Sequence, residues 1–208
     1  MKTIIPLIAI LGLLLGSPAM AASSKRMTHS IEAASFTEVN LEMAVGEMDI
    51  EVYDGDTIEL DIEIIAERRW FSLRRGNVDD VQLTRRERGE TLYLGIDEDN
   101  LDQTWHVRLP AHLAVDLDVG VGDIQIDDFS NSLVLELGVG AVEVNVVSTD
   151  YAEITATAGV GDAVIRGFGG GTDNERSLLV GADAFYAGDG QHRIEIEVGV
   201  GDARVRAR

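Results

Sequence analysis

The sequence predicts an all-β protein: a single-stranded β-coil of the β-solenoid kind, with a β-sandwich as the competing arrangement. Three observations carry this. A glycine-led phrase recurs roughly every twenty residues, as Val119-Gly120-Val121-Gly122-Asp123, Leu137-Gly138-Val139-Gly140-Ala141, Ala158-Gly159-Val160-Gly161-Asp162 and Val198-Gly199-Val200-Gly201-Asp202. The side chains before each copy alternate with period two, Val115, Leu117 and Val119 against Asp116 and Asp118 for example, which is the pattern of a strand with one buried face. The alternation then slips phase. Val121 is expected to continue the inward set, yet the next apolar positions are Ile124 and Ile126, so the chain must bend or bulge at Gly122-Asp123.

A corner at one place in every repeat is what a coil needs, and glycine accepts the backbone angles of a corner without steric cost. Gly120, Gly122, Gly138, Gly140, Gly159, Gly161, Gly199 and Gly201 are therefore the expected structural corners. Twenty residues of strand have a contour of about 66 Å, enough for a slim coil with two or three faces, and right-handed winding is the default for parallel crossovers. Successive copies are 18, 21 and 40 residues apart. The last step spans two periods, and a glycine-rich unit near Val180-Gly181-Ala182-Asp183 is expected to occupy the missing turn. Helical periodicity fits nowhere in this region.

Along the chain, residues 1–21 read as a signal peptide: Lys2, an apolar stretch from Ile4 to Leu15, a break at Gly16-Ser17-Pro18, and the small-x-small site Ala19-Met20-Ala21. The apolar stretch is shorter than the ~20 residues a spanning helix needs, so cleavage after Ala21 and no integral membrane span thereafter are expected. Residues 22–34 read as a flexible lead-in, and 35–208 as a single β-repeat domain. Its first half carries a degenerate copy of the phrase at Val45-Gly46-Glu47-Met48-Asp49. A turn follows at Tyr53-Asp54-Gly55-Asp56, then an alternating strand with Ile58, Leu60, Ile62 and Ile64. Further strands are expected from Val81 to Arg86 and from Thr91 to Ile96, joined by Arg88-Gly89-Glu90, and from Thr104 to Leu109, ending at Pro110.

The chain has no cysteine, which excludes disulfides, Cys-zinc sites and a lipidated cysteine. Its net charge of −20 disfavours nucleic acid and anionic lipid as partners. In this acidic chain one basic, aromatic segment stands out. Arg68, Arg69, Trp70, Phe71, Arg74 and Arg75 form the candidate anion or partner site, with Arg85, Arg86 and Arg88 on a neighbouring strand. The corner residues Asp123, Asp162 and Asp202 invite a calcium reading, but the period is about twice that of calcium-binding nonapeptide rolls and Ala141 interrupts the column. No metal and no cofactor is expected. The run Gly167-Phe168-Gly169-Gly170-Gly171 lacks the lysine and the helix of a phosphate loop. His29, His106, His112 and His192 have no ligand spacing, and no nucleophile elbow occurs, so the sequence does not read as an enzyme.

The phrase Gly122-Asp123-Ile124-Gln125-Ile126 stands on a strand that follows Leu109-Pro110. With the opening Gly46-Glu47-Met48-Asp49-Ile50-Glu51-Val52, the turn Asp54-Gly55-Asp56 and the closing Gly199-Val200-Gly201-Asp202, it resembles a group of bacterial cell-envelope proteins. These are known as putative adhesins with β-strand repeats, or toast-rack domains, and the resemblance covers about residues 36–208. It implies a single-stranded β-coil and a cell-envelope address, without assigned chemistry. The expectation is a non-catalytic exported module of the periplasm or envelope that binds another envelope protein or a glycan. The alternatives are a surface adhesin and a glycan-active enzyme on a β-coil.

Overall fold

A computed structural model describes residues 24–66, 78–98, 101–168, 172–176 and 181–208. Among them are twelve strands: β1 (Ser24–Glu32), β2 (Glu38–Tyr53), β3 (Thr57–Ala66), β4 (Thr84–Arg88), β5 (Thr91–Gly95), β6 (Leu101–Pro110), β7 (Ala114–Phe129), β8 (Leu133–Val146), β9 (Tyr151–Arg166), β10 (Thr172–Arg176), β11 (Ala182–Ala187) and β12 (His192–Ala207). They form one open mixed sheet, and no helix among the described residues is long and apolar enough to cross a membrane. The all-β expectation is met.

The long strands β2, β7, β8, β12 and β9 lie side by side, parallel and in register across their glycine corners. Before the corner Val115, Leu117 and Val119 of β7 align with Leu133, Leu135 and Leu137 of β8, with Ile194, Ile196 and Val198 of β12, and with Ile154, Ala156 and Ala158 of β9. All of them are buried. After the corner Ile124 and Ile126, Val142 and Val144, Ala203 and Val205, and Ala163 and Ile165 carry the buried columns onward. The valine between the glycines departs from expectation. Val121, Val139, Val160 and Val200 are 45–47% exposed, so the buried set passes straight from Val119 to Ile124 and the valine stands outward at the bend.

The bend is close-packed. A Cβ built on Gly140 would lie 1.7 Å from the carbonyl oxygen of Gly122. One on Gly201 would lie 1.7 Å from that of Gly140, one on Gly161 1.8 Å from that of Gly201, and one on Gly122 2.0 Å from that of Gly46. Gly140, Gly161 and Gly201 also have φ of +140 to +144°, which L side chains rarely adopt. A second column of Gly120, Gly138, Gly199 and Gly159 is nearly as tight, at 2.5–2.8 Å. Only glycine lets neighbouring backbones turn together at this spacing.

Three expectations are corrected. The 40-residue step is not a missing turn: β12 passes back between β8 and β9, so Gly201 pairs with both Gly140 and Gly161. The unit expected to fill the gap instead contributes β11, antiparallel to β9 from Ala182 opposite Ala158, while Val180 lies outside the described residues. Nor do the rows follow one another in chain order. Both β2 and β12 insert between rows from elsewhere in the chain, and antiparallel strands continue the sheet at its ends: β3 then β1 beyond β6, β4 beyond β5, and β11 then β10 beyond β9. Finally, residues 24–32 of the expected lead-in form β1. It pairs along its length with β3, and Lys25 donates to the carbonyls of Asp79 and Val81 at 2.8 and 2.6 Å.

Tyr151 closes the columns where β9 begins. Its ring is buried edge-on to Phe168 and His192, at centroid distances of 6.2 and 6.3 Å, and burial drives its phenol far above the ordinary 10.0. A group whose folded-state pKa is raised stabilises the fold fully below its unfolded pKa and loses that contribution as pH climbs toward the folded value. Stability measured by urea titration should therefore fall above pH ~10, and Tyr151→Phe should flatten that fall. A second comparison sets a close-packed bend against an open turn. Gly140→Ala should cost about 3 kcal/mol or more in the same titration. Gly89→Ala, at a φ of +62° within the left-handed region that L residues can enter and with nothing within 4 Å, should cost only about 1 kcal/mol.

Candidate functional site

Past the corner, alternate side chains of β6, β2, β7, β8 and β12 point outward and fall into cross-strand rows. One row reads His106, Asp49, Gln125, Glu143, Arg204, and the next Arg108, Glu51, Asp127, which a hydrogen bond across the β7 bulge joins to the buried Asn145, paired in turn with Arg206. The strand pairing fixes each position, so the polar groups form a lattice on a rigid support.

Opposite charges interleave across this lattice. Arg108 donates to Glu59 at 2.8 Å, lies 3.6 Å from Glu51 and sits 4.3 Å above the ring of Tyr53. The hydrogen bond to Glu59, followed by the nearby carboxylate charges, raises the pKa of its guanidinium. His106 Nδ1 is 3.2 Å from Asp49. At the other end Arg208 grips Asp127 at 2.6 Å and Asp128 at 2.7 Å, while Asn145 and Gln125 donate to the two oxygens of Asp127. Asp127 and Asp128 form a bulge against β8, with Asp128 left-handed at φ 59°, which turns both carboxylates toward Arg208. Between these groups lies a groove of about 490 Å³ lined by Asp49, Glu51, His106, Arg108, Asp127 and Arg208. A smaller groove of about 220 Å³, bounded by Glu47, Asp123, Glu143 and Arg204, shares its Asp49 wall.

The arrangement suits recognition better than bond breaking. A sugar-cleaving acid needs a desolvated carboxyl beside an ionised one. Asp49 and Glu51 are 60% and 59% exposed. No group of three or more potential metal ligands is gathered among the described residues.

The candidate residues Arg68, Arg69, Trp70, Phe71, Arg74 and Arg75 lie outside the described residues. Their expected neighbours are on β4: Arg85 pairs with Glu87 at 2.6 Å, Arg86 approaches Asp97 at 3.9 Å, and Arg88 covers Tyr93 at 5.5 Å. The corner carboxylates run in the order Glu47, Asp123, Ala141, Asp202, Asp162 across the sheet. Asp123 accepts the amide of Ala141 and Asp202 that of Asp162, both at 3.2 Å, so these side chains tie one row to the next. Sequence reasoning missed the Arg108–Asp127–Arg208 surface. Its residues are up to 100 positions apart, and only the strand order brings them into one face.

No protein-family model matches the sequence, and no curated protein does. Among solved structures, a putative cell adhesion protein from Clostridium sporogenes is similar over 89% of this chain and 100% of its own, with a TM-score of 0.50 at 15% identity. A putative adhesin from Parabacteroides merdae is similar over 68% of this chain and 64% of its own (TM-score 0.30, 8% identity). One from Bacteroides fragilis is similar over 88% and 97% (TM-score 0.23, 11% identity). These neighbours are of the kind that the glycine-led motifs resemble, and the first shares the fold.

Because the ion pairs of this face are exposed, each contributes little. Arg208→Ala should lower stability by no more than about 1 kcal/mol. Urea titrations should show the deficit shrinking as salt is raised to about 1 M.

Proposed function

We propose that this chain is an exported, non-catalytic recognition module of the adhesion type, a rigid β-coil that presents its charged grooved face to another component of the cell envelope. The observation that carries the reading is the in-register lattice of acids, arginines and histidine on five paired strands. Such a surface holds its polar groups in place before a partner arrives and so loses little entropy on binding. The fold shared with a putative cell adhesion protein supports an adhesive role, and the leader at residues 1–21 supports export. Within the coil, the bend of each long strand and the 18-residue step from Val115 to Leu133 on the adjacent strand support one winding per repeat.

The test is capture of envelope components, protein or glycan, from crosslinked fractions by residues 22–208. It is repeated with a variant carrying Glu51→Gln, Arg108→Gln and Asp127→Asn, changes at exposed positions that leave the core intact. The partner captured by the parent chain should be lost or weakened about tenfold or more in the variant. Equal capture by both would remove the groove from the reading, and release of soluble sugar from a captured glycan would replace binding by catalysis.

A further inference from the structure

The outward valines at the bends form a single line. Val45, Val121, Val139, Val200 and Val160 pair in that order across β2, β7, β8, β12 and β9. With strands about 4.8 Å apart, the line is about 19 Å long. Val45 is half-buried and the other four are 45–47% exposed. Glycine flanks each of these four on both sides, so no neighbouring side chain along the strand shields them. The core does not use them, since its columns pass from Val119 to Ile124 and at the equivalent places in the other rows.

On each side of this aliphatic line runs a row of carboxylates. Before the corner Glu42, Asp118, Glu136 and Glu197 occupy matching positions on four adjacent parallel strands. All four are exposed, and none is paired with a base among the described residues. Like charges directly opposite one another on adjacent strands are destabilising. After the corner stand Glu47, Asp123 and Asp202, of which Asp202 is paired with Arg204 at 2.6 Å. The ridge is thus aliphatic along its crest, negative before the corner, and flanked after it by a carboxylate row that Ala141 interrupts and Arg204 partly neutralises.

We propose that this ridge docks a basic amphipathic segment of a partner protein, aliphatic along one seam and bordered on both sides by lysine or arginine. Charge selects this occupant. A second copy of the chain laid along the ridge would set carboxylate rows against carboxylate rows, and an anionic lipid surface would be repelled in the same way. A basic segment relieves the repulsion within the Glu42–Glu197 row while its seam covers the valines. The length of the line matches about thirteen residues of helix. This surface adjoins the grooved face at Glu47 and Asp123 but contains neither Arg108 nor Asp127, and its binding does not depend on that reading.

The experiment uses a synthetic helical peptide of about fourteen residues with a leucine seam flanked by lysines, titrated into the isotope-labelled chain. Amide shifts are expected at Val121, Val139, Val160, Val200 and their flanking glycines. A variant with Val121, Val139, Val160 and Val200 all changed to Thr keeps the charge, shape and β-branching. It should bind the peptide about tenfold more weakly or worse. Glu42→Gln with Asp118→Asn, Glu136→Gln and Glu197→Gln should weaken binding and flatten its salt dependence. Undiminished binding by the threonine variant, or shifts mapping elsewhere, would reduce the effect to general attraction between a polyanion and a polycation and overturn the proposal. Dimerisation without peptide that the threonine changes abolish would assign the ridge to a second copy instead. Should the threonine variant fail to fold, the shift map of the parent chain decides.

Discussion

The close approach of backbones at the bends governs the rest of the molecule. Where a Cβ on one row would sit 1.7–2.0 Å from the carbonyl of the next, that residue must be glycine, whether the carbonyl belongs to another glycine or, for Gly46, to Gln103. That requirement keys the register of the parallel strands, because a slip by one residue would bring a substituted residue into the collision. With register fixed, the period-two alternation on both sides of the bend falls into continuous buried columns, and the polar positions fall into continuous outward rows. The one substituted position in the second glycine column explains itself. Ala44 lies where the neighbour of β2 changes from β5, ending at Gly95 opposite Glu42, to β6, which pairs from Gln103 opposite Gly46. Ala44 therefore has no paired residue on that side among the described residues.

The same register distributes charge unevenly. After the bend Arg204, Arg206 and Arg208 from the end of the chain reach Asp202, Glu143, and Asp127 with Asp128, stitching β12 to β8 and β7 and partly neutralising that face. Before the bend the acids of β2, β7, β8 and β12 have no such partners among the described residues. A chain of net charge −20 therefore has one face of balanced ion pairs and one that remains negative, and the two meet along the valine line. Exposed ion pairs add little to stability; their effect here is to decide what each face can approach.

Much of this was legible in the residues. The alternation of Val115, Leu117 and Val119, repeated at Leu133, Leu135 and Leu137 and at Ile194, Ile196 and Val198, places strands and core directly, since it depends only on the two-residue period of a strand. The corners are equally local: Gly122 and Gly140 announce a place where a side chain cannot fit. Strand order is not local. Nothing within the phrase at Val198–Asp202 distinguishes a row stacked on the end from one inserted between β8 and β9, because its apolar pattern matches either neighbour. The outward valines were misread because alternation extrapolated through a bend assigns them inward. The charged face was invisible for a related reason: Arg108, Asp127 and Arg208 become neighbours through pairing between distant strands.

The insertion of β12 has a further consequence for how the chain reaches its folded form. A polypeptide appears from its beginning to its end, whether leaving a ribosome or threading a translocation pore. Here β8 and β9 cannot complete their shared columns until residues 192–207 have emerged and slid between them. The bond networks that join the two halves are therefore the last to form, and they span large sequence separations, which makes closure slow. Until then two long parallel edges stand open, the condition under which strands pair with the wrong partner. The fold thus leaves both edges open until the strand that lies between them has formed.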